Sequence, residues 1–253
     1  MPGAAVLLES PSRQRLFVIL ISIASFMGTL DSTIVNISLP TIANYFGTGI
    51  TLVSWIPIAY MLALASILIA WGRFADIRGY RKVYLSGFTL FTLSSFLCAS
   101  SPSIEILIGC RILQGIGAAM LMAIGGAMIA VYLPDRIRGW ALGMLSTFAA
   151  ICVATGPVLG GYLTEYLSWH WIFLVNIPVG IGAVLLGMTV IPRDRPRKVS
   201  LASFDAPGAG LLFVTLGSLI FTISLGRVFG YTSPVILSTA AMSAIGAAAF
   251  PFR

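Results

Sequence analysis

Apolar residues run along this chain in long blocks, interrupted by short polar stretches. A membrane helix needs about 20 such residues to cross ~30 Å of hydrocarbon at ~1.5 Å each. Eight blocks fit that window: 16–39, 51–71, 83–100, 104–132, 139–163, 172–191, 208–225 and 233–250. They are continuous, without the alternation of barrel strands, so helices are expected. The predicted fold is an all-α integral membrane protein with about eight spans. The longest break, 192–207, divides a six-span unit at 16–191 from two further spans within 208–253. A polar arm, 1–15, precedes the first span. Near the end of the break, Asp205 followed by Pro207 reads as a helix start, with a capping side chain and a proline in the first turn.

Composition agrees with the pattern. Hydrophobic residues make up 58% of the chain and charged residues 9%, against about 25% charged in soluble domains. There is too little polar surface to cover so much apolar side chain in water. The net charge of +7 is scattered in small clusters between apolar blocks. That distribution excludes a nucleic-acid face and makes the lipid bilayer the expected partner.

The clusters also orient the chain. Arg13 and Arg15 precede the first span; Arg73, Arg78, Arg81 and Lys82 separate the second and third. Arg136 and Arg138 separate the fourth and fifth, Arg193, Arg195, Arg197 and Lys198 the sixth and seventh, and Arg253 ends the chain. The opposite loops offer only Arg227. Both termini are therefore expected in the cytoplasm, with the chain multi-pass in the plasma or inner membrane. The first block lacks a small-residue cleavage site and reads as a retained span. Cys98, Cys110 and Cys152 lie inside apolar blocks without CxxC spacing, which implies neither a metal site nor disulfides. The single histidine, His170, falls in an outer loop with no nucleophile–base pair in view, so no enzyme and no cofactor is expected.

Two charges stand well inside spans. Asp31 follows LFVILISIASFMGTL, and Arg111 interrupts IEILIGCRILQGIGAAM. Each costs at least ~2.5–3.5 kcal/mol at a helix centre, which points to a bundle interior facing water or a counter-charge. Asp31 reads as a carboxyl that takes up and releases a proton as its surroundings change. The alternative is a local role, hydrogen bonding to Ser32, Thr33 or Asn36. Arg111 reads either as a fixed charge tuning a carboxylate or binding an anion, or as a structural donor to backbone carbonyls. Glu105, close to a span end, reads as solvated.

Further signals are local. In WGRFADIRGYRK, Gly72 allows close helix approach, and Asp76 can accept from a neighbouring helix N-terminus. Arg78, Arg81 and Lys82 can pair with Asp76 or with lipid phosphate. Asp76 and the two glycines, Gly72 and Gly79, exceed what a topology signal needs, so a structural gate is expected. TGPVLGG places Gly156, Pro157, Gly160 and Gly161 inside a span, with a GxxxG pair and a missing backbone donor that together favour a bend. Trp169, Trp171 and Phe173 read as an interfacial belt. Trp55 and Tyr60 read as pocket-lining, belt or lipid-facing residues. Gly72, Asp76 and Arg81 are echoed at the same spacing by Gly161, Glu165 and His170, as an inverted repeat of three helices would give.

Together these segments resemble the major facilitator superfamily, and within it the fourteen-span drug:proton antiporters. GRFADIRGYRK resembles the loop motif between spans two and three. LDSTIVNISLP resembles the first-span motif with its acidic residue at Asp31. RILQGIGAA resembles the fourth-span motif, with Arg111, Gln114, Gly115 and Gly117 in place. TGPVLGG resembles the fifth-span antiporter motif, WHWIFLVNIPVG the opening of the sixth span, and FDAPG the start of the first extra helix.

The resemblance implies proton-driven efflux of hydrophobic, often cationic compounds, with the proton gradient as energy source. Asp31, Arg111 and Gln114 would serve proton coupling and substrate handling. Gly72, Asp76, Gly79 and Arg81 would form the cytoplasmic gate, and Gly156, Pro157, Gly160 and Gly161 the export-associated bend. Ile77 stands where many members carry arginine, and so does His170. Such carriers have two six-helix halves, whereas this chain carries one half and two linker helices. A second half or a second copy is therefore an expected partner. A metabolite carrier of the same superfamily and a non-transporting membrane partner are the alternatives.

Overall fold

A computed structural model describes residues 8, 10–194 and 206–249. The side chains of residues 206, 209, 227 and 228 are outside that description. So are most of the polar arm, the loop cations Arg195, Arg197 and Lys198, the helix-start signal at Asp205, and Arg253.

The described residues are helical. Pro11–Phe46 forms α1, Ile50–Val53 α2, Trp55–Arg78 α3, Tyr80–Ala99 α4 and Ile104–Tyr132 α5. Asp135–Tyr166 forms α6, Trp171–Leu174 α7, Asn176–Val190 α8, Ala206–Phe229 α9 and Pro234–Ala249 α10. Six helical segments are long and apolar enough to cross a membrane; Ile50–Arg78 and Trp171–Val190 each join two helices. Gly210–Gly226 and Pro234–Ala249 are shorter apolar helices. The first span runs further than its apolar block because helix continues through Pro40 and through the turns carrying Arg13 and Arg15. It stops at Gly47, whose φ of 61° is left-handed backbone.

Packing follows a symmetric scheme. α3 lies along α5, α1 along α6, α4 against both α5 and α8, while α9 joins α3 to α10. Exchanging the first three spans for the second three maps the α3–α5 seam onto the α6–α1 seam, as an inverted repeat requires. Small residues let these seams close. A Cβ on Gly117 would stand 2.7 Å from the amide nitrogen of Phe91, and one on Gly160 would stand 2.9 Å from the carbonyl oxygen of Ile34.

The arginine-bearing segments gather at one end of the bundle. Leu8 N donates to the Tyr132 carbonyl at 2.9 Å. Arg13 donates to the Thr189 carbonyl at 3.1 Å, and Arg81 to the Met188 carbonyl at 2.6 Å. One apolar cluster, around Phe17, Tyr84, Phe88 and Met128, fills the interior towards this end. A second, around Ile34, Val53, Trp169 and Phe173, fills the interior towards the other. Asp31 lies on α1 between the residues given to the two clusters.

Candidate functional site

Asp31, Arg111 and Gln114 are each 0% exposed, and the fold brings all three together. Arg111 and Gln114 are three residues apart on α5 and so share a helix face. The Arg111 guanidinium pairs with the Asp31 carboxylate. The same Arg111 nitrogen donates to Gln114 Oε1 at 2.6 Å, and Gln114 Nε2 donates to the other Asp31 oxygen at 2.9 Å. Arg111 Nε donates to the Ile56 carbonyl at 3.4 Å. Its remaining nitrogen, Nη2, is buried with no acceptor among the described residues.

Five further residues complete the cluster. Asn176 Nδ2 donates to Asp31 at 3.3 Å and to Ser95 Oγ at 3.4 Å. Gln114 Nε2 also donates to Ser95 Oγ, at 2.7 Å. The Cys98 thiol lies 3.7 Å from Gln114 Oε1. The Tyr60 ring lies 4.2 Å from the guanidinium carbon of Arg111, a cation–π contact, and its hydroxyl donates to the Gly28 carbonyl at 3.3 Å. Phe173 stands 5.8 Å from the same carbon. The break between α7 and α8 puts Phe173 and Asn176 on either side of Val175 while both reach the cluster. The buried cluster thus ties α1, α3, α4, α5 and the α7–α8 span together through one ion pair.

The local role considered for Asp31 is not what the structure shows. Ser32, Thr33 and Asn36 donate to carbonyls of their own helix. Arg111 does donate to a backbone carbonyl, but its main partners are Asp31 and Gln114. Tyr60 is neither a belt residue nor lipid-facing. Within the aromatic trio, only Trp171 is exposed; Trp169 and Phe173 are buried, because the chain folds back over the ends of α1 and α4. Sequence reasoning missed Ser95, Cys98 and Asn176, which read as ordinary polar residues in oil. Only Asn176, inside WHWIFLVNIPVG, carried any signal.

The charged hairpin is built differently from the expectation. The α4 N-terminus is taken by Asp194, not Asp76: its two carboxylate oxygens accept from the backbone N–H groups of Arg81 and Lys82, both at 3.0 Å. Gly79, at φ 102°, leaves room for that carboxylate, which a Cβ would strike. Asp76 accepts from the Tyr80 hydroxyl. Arg78 lies over the Phe74 ring, 5.8 Å from its centroid. Gly72 meets nothing within 4 Å among the described residues, so it brings no described helix close.

In the fifth span, Gly156 and Gly160 are pressed against Thr33 and Ile34 of α1, while Gly161 faces open space. Helix α6 continues through Pro157. Gly156 and Gly160 thus lie on the α1–α6 seam, apart from the Asp31 cluster, whereas Pro157 is exposed. At the end remote from the arginines, His170 stacks on Trp169 with ring centroids 3.9 Å apart. Partial burial pulls its pKa below the usual 6.5. Among the described residues, no three His, Cys, Asp or Glu side chains assemble as a metal group.

The family model for the Major Facilitator Superfamily matches residues 21–253. The riboflavin transporter RibZ of Clostridioides difficile (strain 630) is 39% identical over 206 residues, covering 80% of this chain and 44% of that protein. The methylenomycin A resistance protein of Bacillus subtilis (strain 168) is 33% identical over 239 residues, covering 94% of this chain and 51% of that protein. The chain thus spans about half the length of the curated relatives it matches. In fold it is similar to a bacterial homolog of the human lysosomal transporter Spinster, crystallised inward-facing and unoccupied. That comparison has a TM-score of 0.60 at 18% identity, over 96% of this chain and 61% of the other.

Proposed function

The chain belongs to the Major Facilitator Superfamily, and from that premise we propose that it serves proton-coupled export of hydrophobic or cationic small molecules. The observation that carries the reading is the buried Asp31–Arg111 pair with Gln114 and Asn176 on the same carboxylate. A proton delivered to Asp31 removes the negative partner of Arg111. An uncompensated guanidinium in a dry interior costs several kcal/mol. The helices sharing the cluster must then separate or find new partners, so proton uptake and helix rearrangement become one event. Gln114 and Asn176 orient the carboxylate, and Tyr60 covers the guanidinium face.

The gate role of Gly72, Asp76, Gly79 and Arg81, and the bend role of Gly156, Pro157, Gly160 and Gly161, belong to the same proposal. So does the placing of the arginine-rich end, and with it both termini, in the cytoplasm. A second transporter half, or a second copy of the chain, would cover the exposed side chains Ile37, Val158, Tyr162 and Tyr166 on α1 and α6.

The test compares the full chain with Asp31→Asn in membrane vesicles, reading ethidium flux together with proton movement. At least a tenfold loss of coupled flux is expected, with ethidium binding retained. Unchanged coupling would sink the proposal. The similarity to a riboflavin transporter favours a second reading, carriage of a planar metabolite; riboflavin flux that outcompetes ethidium would select it.

A further inference from the structure

A cavity of about 470 Å³ opens at the arginine-rich end between the starts of α1 and α6, lined by Pro11, Gln14, Arg15, Arg136, Ile137 and Trp140. Arg15 and Arg136 come from different helices, and both are exposed. Neither has an ion-pair partner among the described residues. The nearby carboxylate of Asp135 is engaged by Arg138, one turn along α6. Gln14 is buried and donates to the Leu8 carbonyl at 2.5 Å, which fixes one wall. Trp140 is half exposed at the rim. Just below, Leu16 and Ile19 show apolar side chains on the outside of α1.

We propose that this cavity binds the phosphate of an anionic phospholipid headgroup. Two guanidiniums without an ion-pair partner among the described residues match a phosphate in charge and in hydrogen-bond geometry. Free phosphate offers the same chemistry, but the surroundings favour a lipid. An indole at the rim suits the boundary between headgroup and hydrocarbon. The apolar side chains beneath supply a track for an acyl chain, which an inorganic ion would leave unused. Basic pockets between membrane helices are suited to acidic headgroups, and cations near an anionic surface are attracted to it. Neither the proton-coupling reading nor the Asp31 cluster enters this reasoning.

The experiment measures lipid retention by native mass spectrometry on the full chain. The probes are phosphatidylglycerol, phosphatidylcholine and inorganic phosphate. Phosphatidylglycerol should be retained over phosphatidylcholine, and inorganic phosphate at matched concentration should not displace it. The Arg15→Ala/Arg136→Ala variant should lose at least tenfold in phosphatidylglycerol affinity, while Arg15→Lys/Arg136→Lys keeps most of it. Arg78→Ala removes a cation at the same end and should change nothing. Equal loss in Arg78→Ala would show general surface attraction and overturn the site. Displacement by inorganic phosphate would assign the cavity to a free anion and overturn the lipid. The Arg15, Arg78 and Arg136 side chains are exposed, and Asp31→Asn should leave retention unchanged, so this result stands or falls apart from the transport proposal.

Discussion

Replacing Asp31 and Arg111 singly and together measures what the buried pair contributes. Asp31→Asn keeps the side-chain shape but turns one acceptor into a donor facing Arg111 or Gln114, both of which already donate to Asp31. Arg111→Met removes the donor to Gln114 and the contact over Tyr60, and strands the carboxylate. Removing one member of a buried pair costs about 3–5 kcal/mol, because the other is left as an uncompensated charge. Independent effects would make the double variant ~6–10 kcal/mol less stable. The double variant strands no charge, and the introduced amide can still meet Gln114 and Asn176. A coupling of about 2–3 kcal/mol in its favour is therefore expected, roughly a factor of 30–150 in the unfolding equilibrium. Reversible unfolding of the full chain in mixed micelles, followed by tryptophan fluorescence, gives all four corners of the cycle. Additivity within ~0.5 kcal/mol would refute the claim that the pair acts as one unit.

Two glycines in α5 should respond in opposite ways. Gly117→Ala drives a methyl into the backbone of α4 and should cost about 1–3 kcal/mol, whereas Gly109→Ala meets open space and should gain up to about 1 kcal/mol of helix propensity. The same unfolding assay reads both. His170, the sole histidine, should titrate below 6.5 in a single-site NMR experiment, because partial burial disfavours its charged form. Its folded pKa being the lower one, its contribution to stability is complete above about 6.5 and is lost as pH falls towards the folded value. A midpoint at or above 6.5 would contradict that cause.

The spans and the two charges inside them were legible because both rest on large energies. A block of twenty apolar residues, or a charge inside one, has few alternative explanations. Asp31 and Arg111 were therefore visible, although nothing in their spacing said that they touch. Ser95, Cys98 and Asn176 were not visible, because uncharged polar side chains are common in membrane helices and cost little there. Tyr60 and Phe173 were hidden for a different reason. An aromatic ring suits lipid, an interface or the covering of a guanidinium equally well, and only tertiary packing decides. Asp194 escaped notice because its partners are backbone amides, which carry no mark in a sequence. The residue expected to cap a helix, Asp76, sits close enough to Tyr80 on the next helix for its hydroxyl to donate to the carboxylate.

The bare nitrogen on Arg111 sets a direction for the molecule as a whole. A buried donor without an acceptor costs about 1–3 kcal/mol, and no acceptor among the described residues reaches Arg111 Nη2. Any shape of the bundle that brought an oxygen to this nitrogen, from a shifted backbone or from a passenger, would recover that cost.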